Sequence, residues 1–344
     1  MLACVFHGPG NLKVEERPIP KPGEGEVLIK TGAASLCFSD IRVFRGEKSA
    51  RPGVIQGHEA AGAVVSVGAG VRGIAVGERV AICPIMACGA CYFCVRGLRN
   101  RCLNRKTLGY DADGGLAEYI LVPRELVEMG HLLKVPKDLP DEMACQTEPF
   151  ACALYSLETC GVGAGGSLAI VGAGPMGLIH LLLAKAMGCK TIIVSDPVPE
   201  RLTVAYGLGA TFTNNPRRNS LAEDVLTMTD GLGADAVIVS VGAVAAIDSG
   251  IRALRKQGTL NIFGGCPPGS MLSLDPNLVH YNELWITGTQ NANPEHYQRA
   301  LAMLPMLTQA PKLVTHRFPI ADAPKAFDLR SSLDGLKAII DFPA

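Results

Sequence analysis

Between Ser167 and Phe263 the chain alternates short, unbroken apolar runs with helix-length segments, and this alternation leaves few folds open. The runs are Ser167–Val171, Thr191–Ser195, Ala236–Val241 and Thr259–Phe263; between them lie Met176–Met187, Pro199–Leu208, Ser220–Thr229 and Val244–Leu254. A strand that is apolar at every position is buried on both faces, so the pattern predicts a doubly wound parallel sheet covered by helices, an α/β fold. The first run ends in Gly172-Ala173-Gly174-Pro175-Met176-Gly177, and Asp196 closes the next strand 19 residues past Gly177. In that context each glycine has a task. Gly172 permits a tight turn, Gly174 lets a pyrophosphate approach the backbone, and Gly177 lets the helix lie close to the strand. Pro175 and Met176 open the helix, whose unpaired N–H groups attract phosphate. Asp196 can accept hydrogen bonds from ribose hydroxyls and repel a 2′-phosphate, which favours NAD over NADP; Arg201, one turn on, can also reach the adenosine side.

The first ~150 residues have a different texture. Glu26–Ala33, Ala61–Val67, Glu78–Cys83 and Leu116–Val122 read as strands bounded by Gly or Pro. After Gly288 come a helix around Pro294–Met306 and strand-like Lys312–Phe318 and Leu336–Asp341. The chain therefore reads as one domain, residues 153–289, inserted into another formed by 1–152 and 290–344. Charge excludes some functions: 32 basic and 32 acidic side chains sum to zero, so there is no general attraction to nucleic acid or an anionic membrane. The longest apolar stretch, Leu178–Gly188, is interrupted by His180 and Lys185 and is too short for the ~20 residues of a membrane span. The N-terminus carries no signal-peptide pattern, so the expected compartment is the cytoplasm.

Twelve cysteines in a chain of this length and composition suggest metal binding more than a disulfide framework. Cys88-x2-Cys91-x2-Cys94-x7-Cys102 can close four thiolates around a tetrahedral ion and leave no open position, as structural zinc requires. An iron–sulfur cluster fits less well, because the gap to Cys102 and the following Leu103 depart from the ferredoxin pattern. Cys37, the Gly57-His58-Glu59 segment and Glu148 are competent zinc ligands of the open, catalytic kind; spacing alone does not assemble them.

Taken in order, Cys37-x-Ser39-Asp40, Gly57-His58-Glu59-x2-Gly62, the four-cysteine lobe, the glycine turn with Asp196, and Thr315-His316-Arg317-Phe318 resemble the zinc-containing medium-chain alcohol dehydrogenases from end to end. Glu148-Pro149-Phe150, in place of the cysteine that other alcohol dehydrogenases carry there, resembles the sorbitol (polyol) and threonine dehydrogenase branch. The resemblance implies a GroES-like β-rich catalytic domain with a zinc lobe about 84–105, a Rossmann domain, and two zinc ions per subunit. It implies hydride transfer from a zinc-bound alkoxide of a secondary alcohol to NAD, giving the ketone. Cys37 and His58 are then ligands, completed by Glu59 or Glu148, directly or through water. Ser39 sits beside the reacting oxygen and Asp40 orients His58. Gly264, Gly265, Gly288 and Thr289 border the nicotinamide, and Tyr110 and Phe44 line the substrate pocket. Two positions depart from relatives: Arg42 occupies the place of a proton-relay histidine, and Phe38 replaces a Gly or Arg. The edge Trp285–Gly288 implies a homodimer or homotetramer. Alternative functions are L-threonine 3-dehydrogenase, a simple alcohol dehydrogenase, and a non-catalytic cofactor-binding protein. His180, Cys145 and Cys152 read as packing residues, with Cys152 the one of these closest to suspicion.

Overall fold

The computed structural model describes residues 1–343 of the chain. It divides into two compact units, Met1–Ala151 with the chain from Ala292 onward, and Cys152–Asn291.

The first unit is built on a seven-stranded sheet ordered Leu132–Lys134, Arg79–Ile82, Glu59–Val67, Val27–Ser35, Lys337–Asp341 and Val314–Pro319, with Tyr119–Val122 also paired to Val27–Ser35. A smaller sheet joins Asn11–Glu16, Leu2–Gly8 and Val54–Ile55. Ile29, Val80, Ile120, Leu126, Phe327 and Ile340 pack in the core against the seven-stranded sheet. The C-terminal strand pairs antiparallel with Val27–Ser35, placing Ile339 opposite Ser35. The Arg79 guanidinium donates to Asp141 Oδ1 (3.0 and 2.5 Å) and to the Leu139 carbonyl (2.6 Å), tying a polar connection to the sheet.

The second unit is a six-stranded sheet ordered Phe212–Asn214, Thr191–Ser195, Ser167–Val171, Ala234–Val239, Leu254–Ile262 and Trp285–Gly288, every pair parallel. Counted along the chain, its order is 3-2-1-4-5-6, the doubly wound arrangement whose switch point lies beside the first strand. The buried faces explain the unbroken apolar runs: Leu168, Ile170, Ile193, Val237 and Ile238 are all shielded from solvent.

Several boundaries differ from the sequence reading for physical reasons. Leu116–Glu118 does not extend the strand Tyr119–Val122, because its backbone bonds to the N-terminal strand instead: Cys4 N–H donates to the Leu116 carbonyl and Glu118 N–H to that of Leu2. Leu254–Ile262 begins five residues before the apolar run, through polar Arg255-Lys256-Gln257, with Gln257 at φ +58°. Phe212–Asn214 is a short edge strand whose Thr and Asn carry no apolar signal. The helix Pro294–Met303 passes into a 3₁₀ turn at Leu304–Met306.

Candidate functional site

Sheet register brings the distant ligand candidates together. Ser35 lies opposite Glu59 in the antiparallel pair Val27–Ser35 and Glu59–Val67, so the exit of one strand, leading to Cys37, stands beside the entry of the other, carrying His58. Cys37 caps the helix Phe38–Phe44, and its backbone N–H donates to Asp40 Oδ2 (3.1 Å). Cys37, His58 and Glu59 each offer one donor atom, all within 4.8 Å of one another. His58 Nδ1 is 3.0 Å from Asp40 Oδ1; with Nδ1–H donating there, the Nε2 lone pair is available to a metal. Burial opposes charge on His58, but the Asp40 carboxylate and Cys37 outweigh it and hold the imidazole pKa well above its usual value.

Glu59 is fully enclosed. Its Oε2 accepts from the Ser35 hydroxyl and from Lys337 Nζ (2.5 Å), whereas Oε1 has no hydrogen-bond partner among the described residues. A buried carboxylate oxygen without a partner, next to a thiol and an imidazole, fits a cation. Burial raises the Glu59 pKa, Lys337 pulls it down, and Glu148 raises it again. Glu148, buried on the first turn of Thr147–Thr159, is outside the three-residue cluster but close enough for its charge to be felt there.

Ser39 Oγ lies 3.1 Å from Cys37 Sγ and 2.7 Å from Tyr110 Oη. The Tyr110 hydroxyl also meets Asp40 Oδ1 (3.2 Å) and His58 Nδ1 (3.1 Å). Tyr110 is thus bonded into the cluster rather than only lining it. Phe44 corrects the sequence reading: its ring packs edge-on against Phe327 at 5.9 Å, on the sheet core. Arg42 is drawn to Glu47 (3.4 Å), and Phe38 is 41% exposed with Arg45 near its face. Lys337, 278 residues from Glu59, escaped sequence reasoning, since no local pattern marks a partner so remote.

The lobe gathers Cys88, Cys91, Cys94 and Cys102 within the same 4.8 Å limit. Tetrahedral zinc at ~2.3 Å from each sulfur separates sulfurs by about 3.8 Å, and Cys91 Sγ to Cys94 Sγ is 3.5 Å. The Cys88 and Asn104 N–H groups donate to Cys102 Sγ (3.2 and 3.3 Å). Hydrogen bonds from the Leu103 and Cys94 backbone lower the Cys91 thiol pKa to about 6, favouring the thiolate a metal needs. Backbone hydrogen bonds also lower Cys88, whereas burial pushes Cys94 up to about 12; outside the lobe, burial pushes Cys83 and Cys160 up to about 12 and Cys145 further still.

In the parallel sheet, register aligns Ser195, Val171, Val239, Ile262 and Gly288 in one row at the carboxyl edge. The glycine turn follows Val171. Gly172 has φ +104°, while a Cβ on Gly177 would lie 1.8 Å from the Gly172 carbonyl oxygen. A Cβ on Gly174 would meet nothing within 4 Å, so open space lies over the N-terminus of Pro175–Ala186. Asp196 is buried; it accepts from Ala173 N–H (2.8 Å) and Val198 N–H (2.9 Å), with Arg201 4.0 Å away. Gly264 and Gly265 follow Ile262, Thr289 follows Gly288, and Thr289 Oγ1 donates to Asn261 Oδ1 (3.1 Å). The predicted nucleotide residues thus share one edge. His180 lies inside the second unit, bonded to Ser156 Oγ (2.7 Å) and the Met176 carbonyl (2.6 Å). Among the described residues, no helix is long and apolar enough to cross a membrane.

The Alcohol dehydrogenase GroES-like domain family matches residues 23–136, and the Zinc-binding dehydrogenase family residues 175–305. The chain is 37% identical over 325 residues to an L-threonine 3-dehydrogenase of Pyrococcus furiosus, covering 91% of this chain and 90% of that one. It is 33% identical over 345 residues to a sorbitol dehydrogenase of Halalkalibacterium halodurans, covering 98% of each. The crystal structure of a zinc-binding dehydrogenase from Sinorhizobium meliloti bound to NADP superposes with TM-score 0.92 at 30% identity, covering 99% and 98% of the two chains.

Proposed function

Because the chain belongs to the zinc-containing medium-chain alcohol dehydrogenase family, we propose that it interconverts a secondary, polyol-like alcohol and its ketone, with NAD as hydride acceptor. The observation that carries this reading is the buried trio Cys37, His58 and Glu59, with the Ser39 hydroxyl 3.1 Å from the Cys37 sulfur. Cys37, His58 and Glu59 hold the catalytic zinc; the unpartnered Glu59 Oε1 supports Glu59, ahead of Glu148, as the carboxylate ligand. Bound there, zinc supplies Lewis-acid polarisation of the substrate oxygen. Asp40 fixes the His58 ring through Nδ1. Ser39 accepts the proton leaving the substrate hydroxyl as it donates its own to Tyr110 (2.7 Å), whose hydroxyl proton passes on to the Asp40 carboxylate (3.2 Å), a route that does not need the histidine replaced by Arg42. Cys88, Cys91, Cys94 and Cys102 hold a second, structural zinc with no position left for substrate.

Gly172, Gly174, Pro175, Met176 and Gly177 bind the pyrophosphate at the helix N-terminus, and Gly264, Gly265, Gly288 and Thr289 border the nicotinamide. The buried Asp196 charge supports NAD, even though the Sinorhizobium meliloti relative holds NADP. The exposed edge strand Trp285–Gly288, with Trp285 69% exposed, supports a homodimer or homotetramer; the cytoplasm is the proposed compartment. The relative named L-threonine 3-dehydrogenase supports threonine as the second candidate substrate. Elemental analysis with a substrate screen tests the proposal: two zinc ions per chain, NAD reduction with sorbitol, xylitol, 2,3-butanediol or threonine, and loss of both one zinc and all turnover in Cys37→Ala. Full turnover in that variant refutes the assignment.

A further inference from the structure

Around the metal cluster one cation stands apart. Lys48 Nζ lies 3.7 Å from the centroid of the Tyr110 ring, and the hydroxyl of that same ring is bonded to Ser39, Asp40 and His58. An ammonium over an aromatic face is held in place without being neutralised. The other basic side chains of the same segment are paired with carboxylates: Arg42 and Arg45 with Glu47, and Arg51 with Asp113. Lys48 forms no ion pair among the described residues, and the residue is exposed. Arg105 is a second cation near it; it donates to the Asn100 carbonyl (3.2 Å) and likewise forms no ion pair among the described residues. Burial lowers the Lys48 pKa, an effect opposed by Cys37, Asp40 and Glu148 and reinforced by Arg105. The geometry joins the ammonium to the cluster through one ring: Lys48 lies on its face, and the cluster holds its hydroxyl.

Building on the proposed dehydrogenase reading, we propose that the alcohol this site accepts carries an anionic group, a carboxylate or a phosphate, and that Lys48 binds that group. With no carboxylate paired to it among the described residues, the ammonium keeps N–H donors for an acceptor, and a lysine serves phosphate and carboxylate alike as a point charge. The reacting hydroxyl beside Ser39 and the anion at Lys48 would then fix a short substrate at both ends, which orients its carbinol hydrogen.

The test uses the zinc-loaded enzyme with two matched pairs, sorbitol against sorbitol 6-phosphate and 2,3-butanediol against 3-hydroxybutyrate. The phosphate and carboxylate arms separate the two anion sources. The expected result is a kcat/KM roughly tenfold or more higher for the charged member of at least one pair. Lys48→Gln should remove that advantage, leave the neutral member within about twofold, and be rescued by Lys48→Arg. Calorimetric binding of the four compounds to the same proteins gives a readout independent of turnover. Lys48-dependent binding of a charged compound without turnover supports this proposal and sinks the dehydrogenase reading for these substrates. Turnover of the neutral members, with no charged compound bound more tightly, sinks this proposal and leaves the reading intact. An equal effect of Lys48→Gln on both members of each pair, as a contact to the cofactor would produce, also overturns it.

Discussion

His180 should make the parallel-sheet unit acid-sensitive. The side chain is completely buried, edge-on to Phe263 at 4.7 Å. Nδ1–H donates to the Met176 carbonyl (2.6 Å); with the Ser156 hydroxyl donating to Nε2 (2.7 Å) rather than to the Ala153 carbonyl (2.8 Å), the ring is neutral and both its nitrogens are satisfied. Burial lowers the pKa from the ordinary 6.5 to about 4. The unfolded chain therefore binds this proton before the folded one does. Stability from keeping His180 neutral is complete above about pH 6.5 and is lost as pH falls toward about 4. At roughly 1.4 kcal/mol per pH unit the full loss is about 3 kcal/mol, of which about 2 kcal/mol appears between pH 8 and pH 5. His180→Gln keeps polar atoms in the site but does not titrate. Urea unfolding of both proteins, followed by Trp285 fluorescence and far-UV circular dichroism, gives the difference in stability at each pH. The wild-type advantage should shrink by about 2 kcal/mol from pH 8 to pH 5. A difference that stays constant across that range refutes the buried-neutral assignment.

Other substitutions probe the remaining features. Gly177→Ala drives a Cβ to 1.8 Å from the Gly172 oxygen and should cost about 3 kcal/mol in unfolding free energy. Gly174→Ala, with open space around the new carbon, should keep the melting temperature but weaken NAD binding roughly tenfold, measured by fluorescence titration. With zinc removed by chelation, Lys337→Met strands the Glu59 charge in the interior and should cost about 3–5 kcal/mol, most of it recovered in the double variant with Glu59→Gln; thermal unfolding of the three metal-free proteins decides. Chelation should remove the ion at Cys37–His58–Glu59 more readily in acid, because His58 must give up a proton to ligate; zinc retention that does not change between pH 8 and pH 6 would contradict this.

The parallel sheet was legible because burial on both faces leaves unbroken apolar runs, and because Gly172, Gly174 and Gly177 have separate steric reasons to be glycine. The four-cysteine lobe was legible because its ligands lie within 15 residues. The cluster at Cys37 was not, since it is made by strand register: Ser35 opposite Glu59 and Ile339 opposite Ser35 are pairings that no local spacing encodes. The same limit hid Lys337. Tyr110 was visible only as a pocket residue, because its bonds to Ser39, Asp40 and His58 reach across 52 to 71 residues of chain. Phe44 misled in the opposite direction, since an aromatic residue near a ligand motif packs equally well into the interior.

The ion pair between Glu59 and Lys337 also sets an order of assembly. A ribosome makes the thiol, the imidazole and the carboxylate long before it makes the lysine that balances the carboxylate, and before the strand that carries it. Until residue 337 has emerged and docked, the growing chain holds an acidic group without its counter-charge beside an open sheet edge. A cell that loads metal during synthesis would meet a trap differing in charge and rigidity from the finished one, so the nascent protein and the mature protein need not select the same ion.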